Sequence, residues 1–300
     1  MDIGYDVPLI KGIDSSLSLG ETCLIIGNNG VGKTTLIKSI LKQVELLSGE
    51  IRLNGHHITQ LNAKEIAQQV AVVFSKSPMP SHFTVTDLIS FGKYIHYPYY
   101  FELSPKDRSE VSAIIESLNL SQYRNLKLSQ LSDGNLQKAY IGRALAQNSP
   151  MIILDEPTTH LDEENKIAIL KLLRELAENH GKLILYSSHD WRLAKEFADQ
   201  IWYIKDQNFF SGIAEDVIAD HQELLQPRMF NIHQNFVAPQ IIAPQLYREL
   251  LFSFLQKNFR KDLSAYHFTF LDGFWEIKSV NMQQNADNFE KILQILEEAH

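Results

Sequence analysis

The hydrophobic pattern of the chain has two textures. Residues 22–26, 71–74, 151–154, 182–187 and 200–204 are short, nearly unbroken apolar runs, as strands buried on both faces require. Between them lie segments of helical character at 36–41, 163–179 and 192–198. This strand–helix alternation predicts a parallel sheet with covered faces and ligands at the carboxyl ends of its strands. Near the start, 17–19 alternates apolar and polar positions as a strand would, with Gly20 closing a turn. Residues 49–53 read as a short strand ending in an Asn54-Gly55 turn.

The alternation is interrupted twice. Residues 77–101 are rich in proline and aromatics, among them Tyr94, Tyr97, Tyr99 and Tyr100. Ser104-Pro105 then opens a helix as N-cap and first-turn proline, with Val111, Ile114, Ile115 and Leu118 on one face. Residues 83–148 thus read as a mostly helical insert. Beyond residue 227 come a strand around 229–237 and a helix with Tyr247, Leu250, Leu251 and Phe254 on one face. A hairpin turning at Asp272-Gly273 and a last helix carrying Phe289, Ile292, Leu293 and Leu296 complete this stretch. The expected organisation is an α/β domain over 1–227 and a small α+β extension over 228–300.

Composition narrows the function classes. The 300 residues carry a net charge of −8 with both signs interspersed, which argues against non-specific binding of nucleic acid or of an anionic membrane surface. The single cysteine, Cys23, lies in an apolar run; it is expected in the core and excludes an intrachain disulfide. No window approaches the roughly 20 apolar residues of a membrane span. No basic segment leads into an apolar run as in a signal peptide. A soluble, cytoplasmic chain is expected.

Candidate chemistry sits at the strand ends. GNNGVGKTT, 27–35, follows an apolar run and precedes a helical one, and fits G-x-x-x-x-G-K-[ST], the phosphate-binding loop. Gly27, Gly30 and Gly32 let the backbone curl with its N–H groups inward. The N–H groups along the loop, which also holds Asn28, Asn29, Val31 and Thr35, solvate phosphate oxygens together with the positive end of the following helix. Lys33 adds a point charge for the β and γ phosphates, and the Thr34 hydroxyl is a candidate Mg²⁺ ligand. A nucleoside triphosphate is the expected ligand. Asp155, after the run 151–154, is placed to hold Mg²⁺ directly or through water. Its neighbour Glu156 is placed to polarise a water for attack on the γ phosphate. His189 ends another run; on spacing alone such a histidine is more often structural or solvated than catalytic.

Three further stretches resemble the ATP-binding cassette (ABC) ATPases. LSDGNLQK followed by IGRALA, 131–146, resembles that family's signature region. ILDEPTTHLD, 153–162, is similar to its Walker B strand and D-loop, and SSHD, 187–190, to its switch histidine. The resemblance covers 1–225 with the motifs in the family's order, and it implies a P-loop NTPase core with an α-helical subdomain. It also implies two copies packed head to tail with two ATP molecules between them. Each ATP would then lie between one copy's phosphate loop and the other copy's signature. By this mapping Glu156 is the general base, His189 contacts the γ phosphate and Asp155 supports Mg²⁺. Ser132, Gly134 and Asn135 close the partner's site, Asp162 belongs to the D-loop, and Tyr5 stacks on adenine. Three positions depart from the family pattern. Ser75 stands where a glutamine usually reaches the metal, Asp133 replaces a glycine of the signature and Asn135 replaces a glutamine. An active ATPase is nonetheless expected.

A finer resemblance is to ATPase subunits of importers for iron chelates, haem and cobalamin. It rests on 84–94 (TVTDLISFGKY) and on HDWRLA with FAD over 189–199. It implies a membrane permease that docks near the aromatic stretch after Ser75, and indirectly a substrate-binding protein. The competing reading is a non-transport cassette acting on ribosomes or DNA. A single cassette without a long coiled-coil insert and with an acidic balance does not suit it. The extension 228–300 reads either as a dimer-stabilising appendage or as a regulatory unit, the latter with a ferredoxin-like order of elements.

Overall fold

The computed structural model describes residues 1–300 apart from 76–79, 81, 98–101, 190, 222–223, 225–234, 281 and 299–300. The chain forms two compact units, Met1–His221 and Gln222–His300. The boundary expected after residue 227 falls among residues outside that description.

The first unit opens with a hairpin of β1 (Asp2–Gly4) and β2 (Pro8–Ile10). Residues 17–18 join no strand, contrary to the alternation read there, and 19–20 form a turn. β3 (Thr22–Gly27) is buried along almost its whole length and leads through the glycine loop into α1 (Lys33–Ile40). β4 (Leu46–Ser48) pairs with β1, giving a small antiparallel sheet in the order β2-β1-β4. β5 (Arg52–Leu53) and β6 (His56–His57) pair across Asn54-Gly55, whose φ values of +50° and +79° suit a two-residue turn. The strand read over 49–53 is therefore confined to its last two residues. α2 (Ala63–Gln69), held by an Asn62–Glu65 capping box, delivers β7 (Val70–Val73).

α3 (Val85–Phe91), α4 (Pro105–Ser117) and α5 (Asp133–Ala146) share a core that includes Leu88, Ile89, Val111, Ile115 and Ala139. Ser104 caps α4 as its sequence demands, its Oγ accepting from the Asp107 N–H at 3.1 Å. Hydroxyls of Ser104 and Tyr97 donate to the Asp107 carboxylate and hold it below the usual carboxylate range. Of the aromatic stretch, 77–79, 81 and 98–101 lie outside the described residues.

Four elements restore the alternation: β8 (Met151–Leu154), α6 (Glu163–His180), β9 (Leu183–Ser187) and α7 (Trp191–Ala194). α7 continues only as a 3-10 turn to Phe197, so the helix expected over 192–198 is split. β10 (Gln200–Lys205) turns at Asp206-Gln207 into β11 (Asn208–Ile213), and α8 (Ala214–Asp220) follows. The six-stranded sheet runs β11-β10-β3-β9-β8-β7 and is parallel except for the edge strand β11. β3 is thus central, which explains the full burial of Cys23; desolvation pushes its thiol well above its ordinary pKa. The carboxyl ends of β3, β8 and β9 carry the glycine loop, Asp155-Glu156 and His189.

At the opposite end, a polar cluster ties α6 to β3 and to the start of β10. Arg174 donates to Asp199 Oδ1 at 2.5 Å, and the Thr22 N–H and hydroxyl donate to Asp199 Oδ2 at 2.8 and 2.9 Å. Burial raises the Asp199 pKa, but the bonds from Arg174 and Thr22 outweigh it and the net shift is downward. A depressed carboxyl stabilises the fold above its unfolded pKa, about 4, and that contribution disappears as pH falls through the folded value. Arg174→Met should therefore lower stability at pH 7 by about 1 kcal/mol or less, since the pair is about a third exposed. Thermal melting should show the gap between wild type and variant closing below about pH 4.

In the second unit β12 (Gln240–Ile242) crosses through α9 (Gln245–Asn258) to pair in parallel with β13 (His267–Leu271). β14 (Phe274–Ser279) and β15 (Met282–Ala286) extend the sheet antiparallel, and α10 (Phe289–Glu298) follows. The Asp272-Gly273 turn forms with φ of +44° and +93°. The strand expected over 229–237 lies largely outside the described residues; Val237 makes only a bridge to Asp262, and the strand begins at Gln240. β15 carries Gln283, Gln284 and Asn285 on successive exposed positions, so no apolar pattern announces it. The order βαβββα, with strands adjacent in chain order, is not the ferredoxin-like βαββαβ. The core face of α9 is Leu251, Phe252 and Leu255, whereas Tyr247 and Leu250 are 39% and 45% exposed. Tyr247 stacks on Phe270 at 3.9 Å. Among the described residues, no helix is long and apolar enough to cross a membrane.

Candidate functional site

The glycine loop is built by conflict between backbone and side chain. Gly30 and Gly32 have φ of +80° and +109°, a region other residues enter at a cost of roughly 1 kcal/mol or more. Gly32 then sets α1 running from Lys33, so the first N–H groups of that helix open into the loop. Lys33 is 6% exposed; its Nζ donates to the Gly27 carbonyl at 2.7 Å and to the Asn28 carbonyl at 3.2 Å. Burial pushes its pKa down while Glu156 and Asp155 oppose that shift.

Asp155 follows β8 and is almost fully buried. Thr34 Oγ1 donates to its Oδ2 at 3.0 Å, and Ser187 Oγ to its Oδ1 at 2.8 Å. The next residue, Glu156, has φ of +56°, an uncommon conformation for a residue with a side chain. Its N–H donates to Ser187 Oγ at 2.9 Å. Its carboxylate meets His189 Nε2 at 2.6 Å and accepts from Thr159 Oγ1 at 3.3 Å.

Some of these residues, though not Asp155 or Ser187, line a cleft of about 340 Å³, near the lower end of ligand-site volumes and suited to a compact charged group. Asn29, Gly30, Gly32, Lys33, Thr34 and Thr35 form one wall, with Glu156 and His189 opposite. Leu9 of β2 supplies an apolar edge that sequence reasoning missed, because only the fold brings β2 beside the loop. Gly27, Asn28 and Val31 belong to the loop without lining the cleft. Tyr5, between β1 and β2, is 62% exposed and outside the lining, and Ser75 beyond β7 is exposed and outside it as well.

The 131–146 region stands apart from this cleft. Ser132 caps α5, its Oγ accepting from the Asn135 N–H at 3.4 Å. Asp133 is exposed in the first turn of α5, where a carboxylate favours the helix dipole. Gly134 is buried beside Asn165 of α6; a Cβ there would lie 2.5 Å from Asn165 Oδ1. Asp162 caps α6, accepting from the Asn165 N–H at 2.8 Å and its side-chain amide at 3.0 Å. None of these residues lines the chain's own cleft.

The arrangement offers a backbone cradle for phosphate, a buried cation, paired hydroxyl and carboxylate oxygens, and a second carboxylate held by an imidazole. Residues 10–159 match the ABC transporter family. The chain is 32% identical over 77% of its length to the achromobactin transport ATP-binding protein CbrD of Dickeya dadantii, covering 86% of that protein. It is also 32% identical over 68% of its length to the iron(3+)-hydroxamate import ATP-binding protein FhuC of Bacillus subtilis, covering 77% of that protein. Among solved structures, a dimeric ATP-binding cassette in a post-hydrolysis state with ADP and Pi superposes with a TM-score of 0.61 at 26% identity, over 71% of this chain and 94% of that one. With this phosphate loop, these paired acids and these relatives, the chain belongs to the ABC transporter family and is an ATP-binding, ATP-hydrolysing subunit.

Proposed function

We propose that the chain is the ATPase of an importer for an iron chelate or a related large metal complex, driving uptake through an integral-membrane permease on the inner face of the cell membrane. A substrate-binding protein would deliver the cargo. The observation that carries this reading is the likeness, over two thirds of the chain or more, to ATP-binding proteins named for achromobactin transport and iron(3+)-hydroxamate import. Exposed Phe91 and Tyr94, whose rings lie 5.0 Å apart within the aromatic stretch, support a permease contact there. On this reading 1–227 is the engine, with 83–148 as its helical subdomain, and 228–300 is an appendage that supports dimerisation or regulation.

The site residues divide the work as follows. The loop N–H groups and Lys33 bind the β and γ phosphates, Lys33 exchanging its two carbonyl partners for phosphate oxygens. Thr34 and Asp155, with oxygens 3.0 Å apart, form a hard-oxygen pair that fits Mg²⁺. When bound, the ion neutralises charge on the phosphates. Glu156 takes a proton from the attacking water, and His189 holds that carboxylate in place and reaches the γ phosphate. Ser132, Gly134 and Asn135 of a second copy close the far side of the nucleotide beside Asp162, and Tyr5 stacks on the base. Ser75 is shorter than the glutamine usual at its position, so a water would fill that metal contact or the contact would be lost.

The test is uptake of a radioiron-labelled siderophore by cells lacking the gene, complemented with wild type or with Lys33→Ala, alongside affinity purification of the tagged chain. Restored uptake with wild type alone and recovery of a permease support the reading. Full uptake without the gene, for haem and cobalamin as well, overturns it.

A further inference from the structure

We infer that Ser187 is a positioning residue for hydrolysis, acting through both acids that precede the D-loop. The inference rests on the roles proposed above for Asp155 and Glu156. Ser187 is the last residue of β9 and is fully buried. β9 runs parallel to β8 with Leu154 opposite Tyr186, so the residues that follow this pair, Asp155 and Ser187, emerge side by side. The hydroxyl is used in both directions: its proton goes to Asp155 Oδ1 at 2.8 Å, and its oxygen accepts the Glu156 N–H at 2.9 Å.

A continuous chain of bonds results. It runs from Thr34 of the phosphate loop to Asp155 Oδ2, from Asp155 Oδ1 to the Ser187 hydroxyl, and from there to the backbone of Glu156. Each oxygen of Asp155 therefore has its own hydroxyl donor, and the carboxylate has one orientation. Glu156 is held twice by the same strand end, at its N–H by Ser187 and at its carboxylate by His189 at 2.6 Å. The first hold matters because Glu156 sits at φ +56°. A backbone in that region reverts to a commoner conformation unless neighbouring groups fix it. Reversion would swing the carboxylate away from His189. Displacements of this order lower rates steeply when the group acts at a reacting atom.

Only a side chain that donates and accepts at once, with little volume, fits between the two acids. Alanine leaves the carboxylate oxygen and the amide unpaired; threonine keeps the hydroxyl on a strand that suits branched side chains.

The experiment compares wild type, Ser187→Ala, Ser187→Thr and Glu156→Gln as full-length chains. The measurements are kcat and KM for ATP, ATP affinity from a fluorescent analogue, and hydrogen exchange of the peptide over 153–160. Ser187→Ala should lower kcat about 10- to 100-fold with KM and affinity within about threefold of wild type, and should speed exchange at the Glu156 amide. Ser187→Thr should recover most of kcat. If Ser187→Ala does not fold, Ser187→Cys, of similar volume but a far weaker donor, is read by the same comparison. A Ser187→Ala kcat within twofold of wild type, or equal losses in kcat and affinity, overturns the inference. So does a Ser187→Cys kcat within twofold. A Glu156→Gln variant as active as wild type instead overturns the role given to Glu156, so the two failures are distinguishable.

Discussion

Glu156→Gln should reduce ATP hydrolysis by about 10²- to 10⁴-fold while ATP still binds. Glutamine matches glutamate in shape, so the backbone bond to Ser187 at 2.9 Å and the contact with Thr159 persist. The loop, Lys33, Thr34 and Asp155 are untouched, and with them the phosphate contacts. What disappears is the group that accepts a proton from water, together with the ionic character of the contact to His189. With hydrolysis blocked, the ATP-bound dimer should persist. Size-exclusion chromatography with ATP should show a dimer for the variant under conditions where wild type returns to monomer, and phosphate release should separate the rates. A variant that hydrolyses at the wild-type rate would move the base to another residue.

Lys33→Ala should act one step earlier, at binding. Lys33 is buried, and its Nζ donates to two carbonyls of its own loop. Truncating one partner of a buried charged pair costs about 2–5 kcal/mol, on the order of 30- to 4,000-fold in affinity. Loss of the cation also leaves Asp155 and Glu156 without the positive charge that offsets them beside an incoming polyanion. Titration with a fluorescent ATP analogue should show the loss directly, and the ATP-dependent dimer should fail to form. The two variants therefore separate cleanly: one binds without turning over, the other does not bind.

Legibility in the sequence followed burial. β8 was read to the residue and β3 to within its last residue, because strands covered on both faces must be apolar throughout. Helix α4 was marked by its N-cap and by apolar spacing, and α6 was read to within its last residue. β5, β11 and β15 were shortened or missed for the converse reason: they lie in a surface hairpin or at sheet edges and bury little. Of the face read on α9, Leu251 and Phe254 join the core, whereas Leu250 is largely exposed and Tyr247, though stacked on Phe270, lies at the rim; apolar spacing alone does not mark the edge of a core stripe. In the cleft, the loop and the acid pair carried their own signatures. Leu9 carried none, since nothing local to 8–10 says that β2 will pass the loop. Ser187 lay within a recognised motif, but its use depends on the β8–β9 register, which emerges only when the strands pair.

The left-handed backbone of Glu156 sets the direction in which this site would decay. Asparagine and glycine occupy such a conformation with less strain than glutamate, and branched residues hardly at all. Relieving that strain is worth on the order of 1 kcal/mol, a sizeable share of the marginal stability of a domain. A copy of the gene released from the need to hydrolyse ATP, but still required to fold and bind, would be expected to drift toward glycine or asparagine at 156. It would not be expected to drift toward valine or threonine. The identity of that one residue is therefore a record of whether a lineage has kept its chemistry under selection.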